Sequence, residues 1–129
     1  MQTTRGLVVV VEDDASMRKS IERLLRASSW STAAFASAEE FLQSGLAGRA
    51  LGLVLDIHLA GMSGIELRRR LAAAGSKLPV VFITAFDDEA TRAEALAVGC
   101  VDYLHKPFEA FRLTEALQRG TTLDKGGVK

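Results

Sequence analysis

The chain has little of several residue types, and each shortage excludes a class of protein. Its 129 residues include a single cysteine, Cys100, so no internal disulfide can form and a reducing compartment is expected. Basic and acidic residues number 16 each, which gives a formal net charge of zero. A balanced charge gives no global sign of nucleic acid or of an anionic membrane as the partner.

The sequence also lacks a long apolar run. No stretch approaches the roughly 20 residues that span a bilayer, and the run after MQTTRG is too short for a secretory signal. Hydrophobic residues nevertheless make up 48% of the chain, which suits a globular domain. We therefore expect a soluble cytoplasmic domain over residues 1–120, with residues 121–129 forming a flexible tail or the start of a linker.

Five short apolar runs alternate with amphipathic segments. The runs predict strands at residues 7–11, 30–36, 51–55, 80–83 and 101–104. Helices are predicted between and after them, the last two over residues 87–98 and about 109–119, and the pairs Ser37/Glu40 and Ser63/Glu66 match capping boxes. Strands that alternate with helices through short loops predict an α/β fold with a parallel sheet covered on both faces.

Polar side chains follow four of the five predicted strands. Glu12 and Asp13 follow the first, Asp56 the third, Thr84 the fourth and Lys106 the fifth. Taken alone, each acid could simply cap its strand, but these ends meet at the carboxyl edge of a doubly wound sheet, where such folds bind ligands. Three carboxylates placed together repel one another unless a cation joins them, and oxygen donors suit Mg²⁺.

This set of groups suits phosphoryl transfer. A carboxylate such as Asp56 can attack phosphorus and form an aspartyl phosphate. Phosphoryl transfer then needs mainly positioning and charge neutralisation, which Mg²⁺, the Lys106 ammonium and the Thr84 hydroxyl could supply. The first loop reads EDDAS and lacks a glycine-rich phosphate cradle, which argues against a dinucleotide-binding dehydrogenase.

The motifs VVVEDDASMR, LVLDIHLAGMSGIEL, VVFITA and VDYLHKPF occur in this order along the chain. Together they resemble the receiver domain of bacterial two-component response regulators, and the match runs from about residue 7 to 119. The resemblance implies a flavodoxin-like doubly wound sheet of five parallel strands in the order 2-1-3-4-5, with five helices. It also implies that Asp56 accepts a phosphoryl group from a histidine of a sensor histidine kinase.

The resemblance further implies roles for the neighbours of Asp56. Asp13 and Asp56 would ligate Mg²⁺ with the backbone carbonyl of His58, and Glu12 would assist through a water molecule. Among similar proteins an aspartate is commoner at the position of Glu12.

By the same resemblance, Thr84 and Lys106 would hold the phosphoryl group. Tyr103 would be the aromatic residue that rotates on activation, although plain strand packing would also explain it. The peptide bond between Lys106 and Pro107 would be cis. The output surface would be formed by the fourth helix, the fifth strand and the fifth helix.

Three positions near Asp56 bear on how far the properties of the family can be expected of this chain. Ala60 stands where the family usually has a proline, which puts the rigidity of the loop after Asp56 in doubt. His58 and Phe86 occupy positions that modulate the rate of phosphate loss in similar proteins, so the lifetime of the phosphorylated form is left open.

The leading hypothesis is a signalling switch that catalyses only its own phosphoryl transfer and dephosphorylation, and so is not an enzyme in the usual sense. The alternatives are an aspartate-nucleophile phosphatase and an interaction module that is not phosphorylated. A phosphatase of that kind would have a second acid where His58 stands. The segment AFASAEEFL resembles receivers with a carboxyl-terminal DNA-binding domain, so a transcriptional output domain and a homodimer formed on phosphorylation are further expectations.

Overall fold

The chain folds around a five-stranded parallel sheet. The computed structural model describes the backbone of residues 5–126 and the side chains of residues 5–121. The strands are β1 (Leu7–Val11), β2 (Ser31–Phe35), β3 (Gly52–Asp56), β4 (Val80–Thr84) and β5 (Asp102–His105). Their order is β2-β1-β3-β4-β5, which confirms the predicted topology. Every pair of neighbours is parallel, so all five carboxyl ends lie at one edge.

Five helices cover the two faces of the sheet. They are α1 (Ala15–Ala27), α2 (Ala38–Ser44), α3 (Gly64–Ala73), α4 (Glu89–Val98) and α5 (Ala110–Gly126). A 3₁₀ turn, Leu46–Gly48, links α2 to β3. None of the described helices is both long enough and apolar enough to cross a membrane.

The two predicted capping boxes form only in part. The hydroxyls of Ser37 and Ser63 accept the amides of Glu40 and Glu66, each at 3.1 Å, and so cap α2 and α3. In a full capping box the glutamate side chain would also accept the backbone amide of the serine, and neither of these described helix starts has that bond. The Glu40 side chain accepts the amide of Ala36 instead, and Glu66 pairs with arginines of its own helix. Each helix start is therefore a single serine cap.

Alternation along the strands divides the core into two apolar layers. Side chains that point to the α2–α3–α4 side include those of Val9, Leu55, Phe82 and Tyr103. Their sequence neighbours point to the α1–α5 side and pack with Ile21, Leu25, Trp30, Leu113, Ala116 and Leu117. Strands β3 and β4 are buried along their whole length, as continuous apolar runs in the middle of a parallel sheet require.

The last helix is longer than predicted. The predicted end at residue 119 is wrong, because α5 stays helical to Gly126. Gly120 lies inside the helix and does not end it. A Cβ at this position would lie 2.9 Å from Val101 Cγ2 and 3.2 Å from Pro79 Cβ. Because glycine has no side chain, α5 can pack close to the sheet here. Residues 127–129 of the predicted tail lie outside the described residues.

Candidate functional site

Three carboxylates meet at the carboxyl edge of the sheet. Glu12 follows β1, and Asp56 is the last residue of β3, the strand beside it. One carboxylate oxygen from each of Glu12, Asp13 and Asp56 lies within 4.8 Å of the others. The sequence prediction that these three acids lie together is therefore confirmed, while their chemical roles stay predictions.

The three acids differ in their exposure to solvent. Glu12 is 1% exposed and Asp56 is 4% exposed, whereas Asp13 is exposed. Asp56 Oδ1 accepts the backbone amide of His58 at 3.1 Å, which fixes the orientation of the Asp56 carboxylate. Glu12 and Asp56 thus form the buried side of the cluster, and Asp13 forms the side that is open to solvent. A ligand from solution could enter on the side of Asp13.

Lys106 reaches the same cluster from the end of β5. Its Nζ lies 2.6 Å from Glu12 Oε1 and 3.4 Å from Asp56 Oδ2. Burial alone would lower the pKa of Lys106, but the hydrogen bond to Glu12 and the charges of Asp56 and Glu12 outweigh it and hold the pKa above its ordinary value. The ammonium therefore stays charged at neutral pH. The peptide bond between Lys106 and Pro107 is cis, as the resemblance implied.

The ionised form of Glu12 is destabilised by its surroundings, as its raised pKa shows. The pKa of Glu12 is raised from 4.5 to about 6, chiefly because the carboxyl group is buried. The hydrogen bonds from Lys106 and from the Asp14 amide oppose this rise, and the negative charge of Asp56 adds to it. A buried carboxylate beside a second one is destabilised in its ionised form. A divalent cation at this place would relieve that repulsion.

Thr84 and Tyr103 lie on neighbouring strands near the acids. The Thr84 hydroxyl is fully buried; it accepts the amide of Phe86 and donates to the Phe86 carbonyl, both at 3.0 Å. The Tyr103 ring is buried, and the Arg92 guanidinium lies 5.2 Å from its centroid. Burial raises the pKa of Tyr103, and the charge of Asp87 raises it further. The sequence indicated Thr84 and Tyr103 but not the Arg92 contact.

His58 and Phe86 cover the rim of the site. Their rings meet edge to face, with centroids 5.2 Å apart and planes at 89°. Phe86 is 64% exposed, so the pair forms part of the surface beside Asp56 rather than part of the core. The sequence singled out both positions separately and did not predict their contact.

The donor set fits Mg²⁺ better than a softer metal. Carboxylates and a backbone carbonyl are hard oxygen ligands, and the clustered groups include no thiol or imidazole within the described residues. Asp13 on the open side would leave room for the water molecules that Mg²⁺ keeps. The site is therefore compatible with the predicted ion.

The family of the chain follows from comparison with known proteins. The family model described as the response regulator receiver domain matches residues 8–118. The chain belongs to this family. It is thus a signalling domain of the two-component class, which implies phosphorylation-dependent signalling, rather than a classical enzyme.

Two relatives come from Bradyrhizobium diazoefficiens. Nodulation protein W is 39% identical over 123 residues, which cover 95% of this chain and 54% of that protein. The transcriptional regulatory protein FixJ is 38% identical over 117 residues, covering 90% and 57%. The chain therefore spans little more than half the length of these relatives.

Solved structures agree with this assignment. The response regulator StyR superimposes with a TM-score of 0.85 at 38% identity, over 93% of this chain and 61% of that chain. The FixJ-N structure superimposes with a TM-score of 0.81 at 33% identity, over 94% and 95%. The predicted fold is thus confirmed both by topology and by superposition.

Proposed function

We propose that this domain is a phosphorylation-dependent switch in which Asp56 accepts a phosphoryl group from a histidine of a sensor kinase. The observation that carries the proposal is the position of the Asp56 carboxylate, which shares one cluster with two further acids and lies 3.4 Å from the Lys106 ammonium. An aspartate-nucleophile phosphatase is less well supported, because His58 stands where such enzymes have a second acid.

In the proposed transfer, an Asp56 oxygen forms a bond to phosphorus while the bond between phosphorus and the histidine nitrogen breaks. The released imidazole nitrogen takes a proton from solvent. Lys106 balances charge on one phosphoryl oxygen, and Thr84 would donate its hydroxyl proton to another after leaving the Phe86 carbonyl. Water later attacks the acyl phosphate, which releases inorganic phosphate and restores the Asp56 carboxylate.

Mg²⁺ is the ion that we assign to the acidic cluster. Asp13, Asp56 and the backbone carbonyl of His58 would ligate it, and Glu12 would contribute through a water molecule. The bound ion would neutralise charge on the phosphoryl oxygens and orient them for transfer. The buried carboxylate of Glu12, whose pKa is raised by burial to about 6, supports the need for a cation at this place.

The output surface that we propose consists of α4, β5 and α5. Within α4 only Ala95 is buried, so this helix is anchored by little apolar area. Leu96 is 58% exposed and Phe111 is 61% exposed, which gives this surface apolar contacts for a partner. Thr84 and Tyr103 connect the phosphorylation site to it. Homodimerisation on phosphorylation and a carboxyl-terminal DNA-binding output domain are further parts of this proposal.

The test is labelling with a small phosphoryl donor. Incubation with acetyl phosphate and Mg²⁺ should add one phosphate to the wild-type domain and none to Asp56→Asn, as measured by intact mass. Asp102→Asn serves as the control, because Asp102 lies at the opposite end of the sheet and pairs with Arg119. Equal labelling of Asp56→Asn and the wild type would refute the assignment of the phosphoacceptor.

The output surface needs a separate measurement. Amide hydrogen exchange should change over residues 84–112 when beryllofluoride and Mg²⁺ are added to the wild type. A change restricted to the neighbourhood of Asp56 would show that the switch does not reach α4 and β5.

A further inference from the structure

A carboxylate outside the acidic cluster contacts the loop that carries His58. This loop, residues 57–63, joins β3 to α3 and is called the acceptor loop below. Glu39 lies at the second position of α2, and its Oε2 accepts the backbone amide of Met62 at 2.9 Å. Among the described residues this is the only hydrogen bond between the acceptor loop and α2.

The same carboxylate also packs against the backbone next to Met62. Gly61 has a φ of +76°, in the left-handed region where glycine is favoured. A Cβ at Gly61 would lie only 2.8 Å from Glu39 Oε2, so the contact depends on the absence of a side chain there. Glu39 therefore contacts the acceptor loop at two neighbouring residues, Gly61 and Met62.

The charge of Glu39 strengthens this contact. The Met62 amide holds the pKa of the Glu39 carboxyl below its ordinary value, with the amide of Glu39 itself as the second cause. A hydrogen bond to an ionised acceptor is stronger than one between neutral groups. The Glu39 carboxylate is therefore ionised at neutral pH, where it accepts the Met62 amide.

The rest of the acceptor loop forms few hydrogen bonds, although Leu59 is buried in the core and the His58 amide donates to Asp56. Its ends are fixed, because the Ile57 amide binds the Ile83 carbonyl at 3.0 Å and Ser63 caps α3. Between them, the amides of Leu59, Ala60 and Gly61 form no hydrogen bond with the described residues. Glu39 thus restrains the middle of a loop whose first part carries the His58 carbonyl.

We infer that Glu39 is a positioning residue for the acceptor site, holding the acceptor loop so that the His58 carbonyl stays in place beside Asp56. This inference rests on the proposed function, since it concerns the Mg²⁺ that the acidic cluster would bind. Glu39 touches neither Asp56 nor the phosphoryl group, and it acts through the backbone of Gly61 and Met62. Partners that hydrogen-bond a metal ligand directly typically change metal affinity by 10–100-fold when they are removed. Glu39 acts at a greater distance, so the lower end of this range is expected.

The test compares three variants of the whole domain. Glu39→Ala removes the acceptor, Glu39→Gln keeps a neutral one, and Glu40→Gln removes a charge from the same helix turn without contacting the acceptor loop. Titration with Mg²⁺ alone should show affinity about tenfold weaker in Glu39→Ala, an intermediate loss in Glu39→Gln and wild-type affinity in Glu40→Gln. Thermal unfolding should stay close to wild type in Glu39→Gln, so that variant separates positioning from a loss of folding.

A second readout does not depend on the metal. Hydrogen exchange at the Met62 amide should become faster in both Glu39 variants and stay unchanged in Glu40→Gln. Wild-type Mg²⁺ affinity in both Glu39 variants would overturn the inference, whether or not the Met62 amide exchanges faster, and would leave the proposed function intact. An equal loss of affinity in Glu40→Gln would overturn it too, because the cause would then be helix charge. If the wild type neither binds Mg²⁺ nor accepts phosphate, the proposed function fails first and the inference fails with it.

Discussion

Lys106 Nζ lies 2.6 Å from Glu12 Oε1, which is closer than its 3.4 Å distance to Asp56 Oδ2. The Glu12 carboxylate thus contacts the ammonium directly. Both partners are buried or nearly so, and the contact joins residues 94 positions apart. Glu12 therefore has a buried cationic partner as well as its expected place beside a metal ion.

The raised pKa of Glu12 predicts a pH-dependent stability. Because the folded-state pKa of about 6 lies above 4.5, the native protein binds more protons than the unfolded chain between these values, and its stability falls as pH rises through them. In Mg²⁺-free buffer the wild type should therefore lose about 2 kcal/mol relative to Glu12→Gln between pH 4 and pH 7. Urea unfolding of both proteins across this range measures the difference. A constant difference would show that Glu12 titrates normally.

Asp13 should contribute strongly to Mg²⁺ affinity. We expect Asp13→Asn to weaken Mg²⁺ binding by at least about tenfold. Loss of a group that only hydrogen-bonds a metal ligand already lowers metal affinity by about that factor, and loss of a ligand itself should lower it at least as much. Calorimetric titration measures this. Asp14→Asn is the matched control, because Asp14 caps α1 through the Met17 amide and asparagine caps equally well. Equal affinity in Asp13→Asn and the wild type would place the ion elsewhere.

Ala60→Pro should stabilise the domain by about 0.4–1 kcal/mol, because proline restricts the unfolded chain more than the native acceptor loop. The Ala60 amide forms no hydrogen bond within the described residues, and its φ is not positive, so proline costs no described contact. Chemical denaturation gives the change in the free energy of unfolding. Destabilisation by more than 1 kcal/mol would mean that the native φ of Ala60 is incompatible with proline.

Tyr103 is the only tyrosine in the chain, so its ionisation can be followed without ambiguity by ultraviolet absorbance. Burial is the main reason that the pKa of Tyr103 is raised; Asp87 raises it further, and Arg92 lowers it. Asp87→Asn should therefore lower this pKa, and Arg92→Gln should raise it. If Arg92→Gln lowers the pKa instead, the Arg92 guanidinium is what keeps the ring buried, and its loss has exposed the ring to water.

The strands and the position of the acidic cluster could be predicted from the residues themselves because both depend on short-range composition. The strand order, in contrast, was an expectation from the resemblance to receiver domains. Apolar runs mark β1, β3 and β4, and each polar residue that matters comes directly after a run. Two contacts could not be predicted in this way: the ion pair between Glu12 and Lys106, and the hydrogen bond from the Met62 amide to Glu39. Both depend on how elements pack across the fold, which residue spacing does not determine.

The end of α5 was predicted wrongly for a related reason. Glycine is a weak helix former, so Gly120 indicated a helix end. In the structure Gly120 is buried against Pro79 and Val101, where no larger residue fits. Tertiary packing, which is not visible in local propensity, keeps this glycine inside the helix.

The division of the core into two layers has a consequence for signalling. Side chains alternate along a strand, so Thr84, next to Ile83 of the α1–α5 layer, lies on the same face as Tyr103. Ala95 of α4 belongs to this layer too. In the switch that we propose, a displacement of Thr84 would reach Tyr103 and α4 through this layer and leave the packing of Leu113 on the opposite face in place. Substitutions in the α1–α5 layer should then change the stability of the domain more than its switching equilibrium.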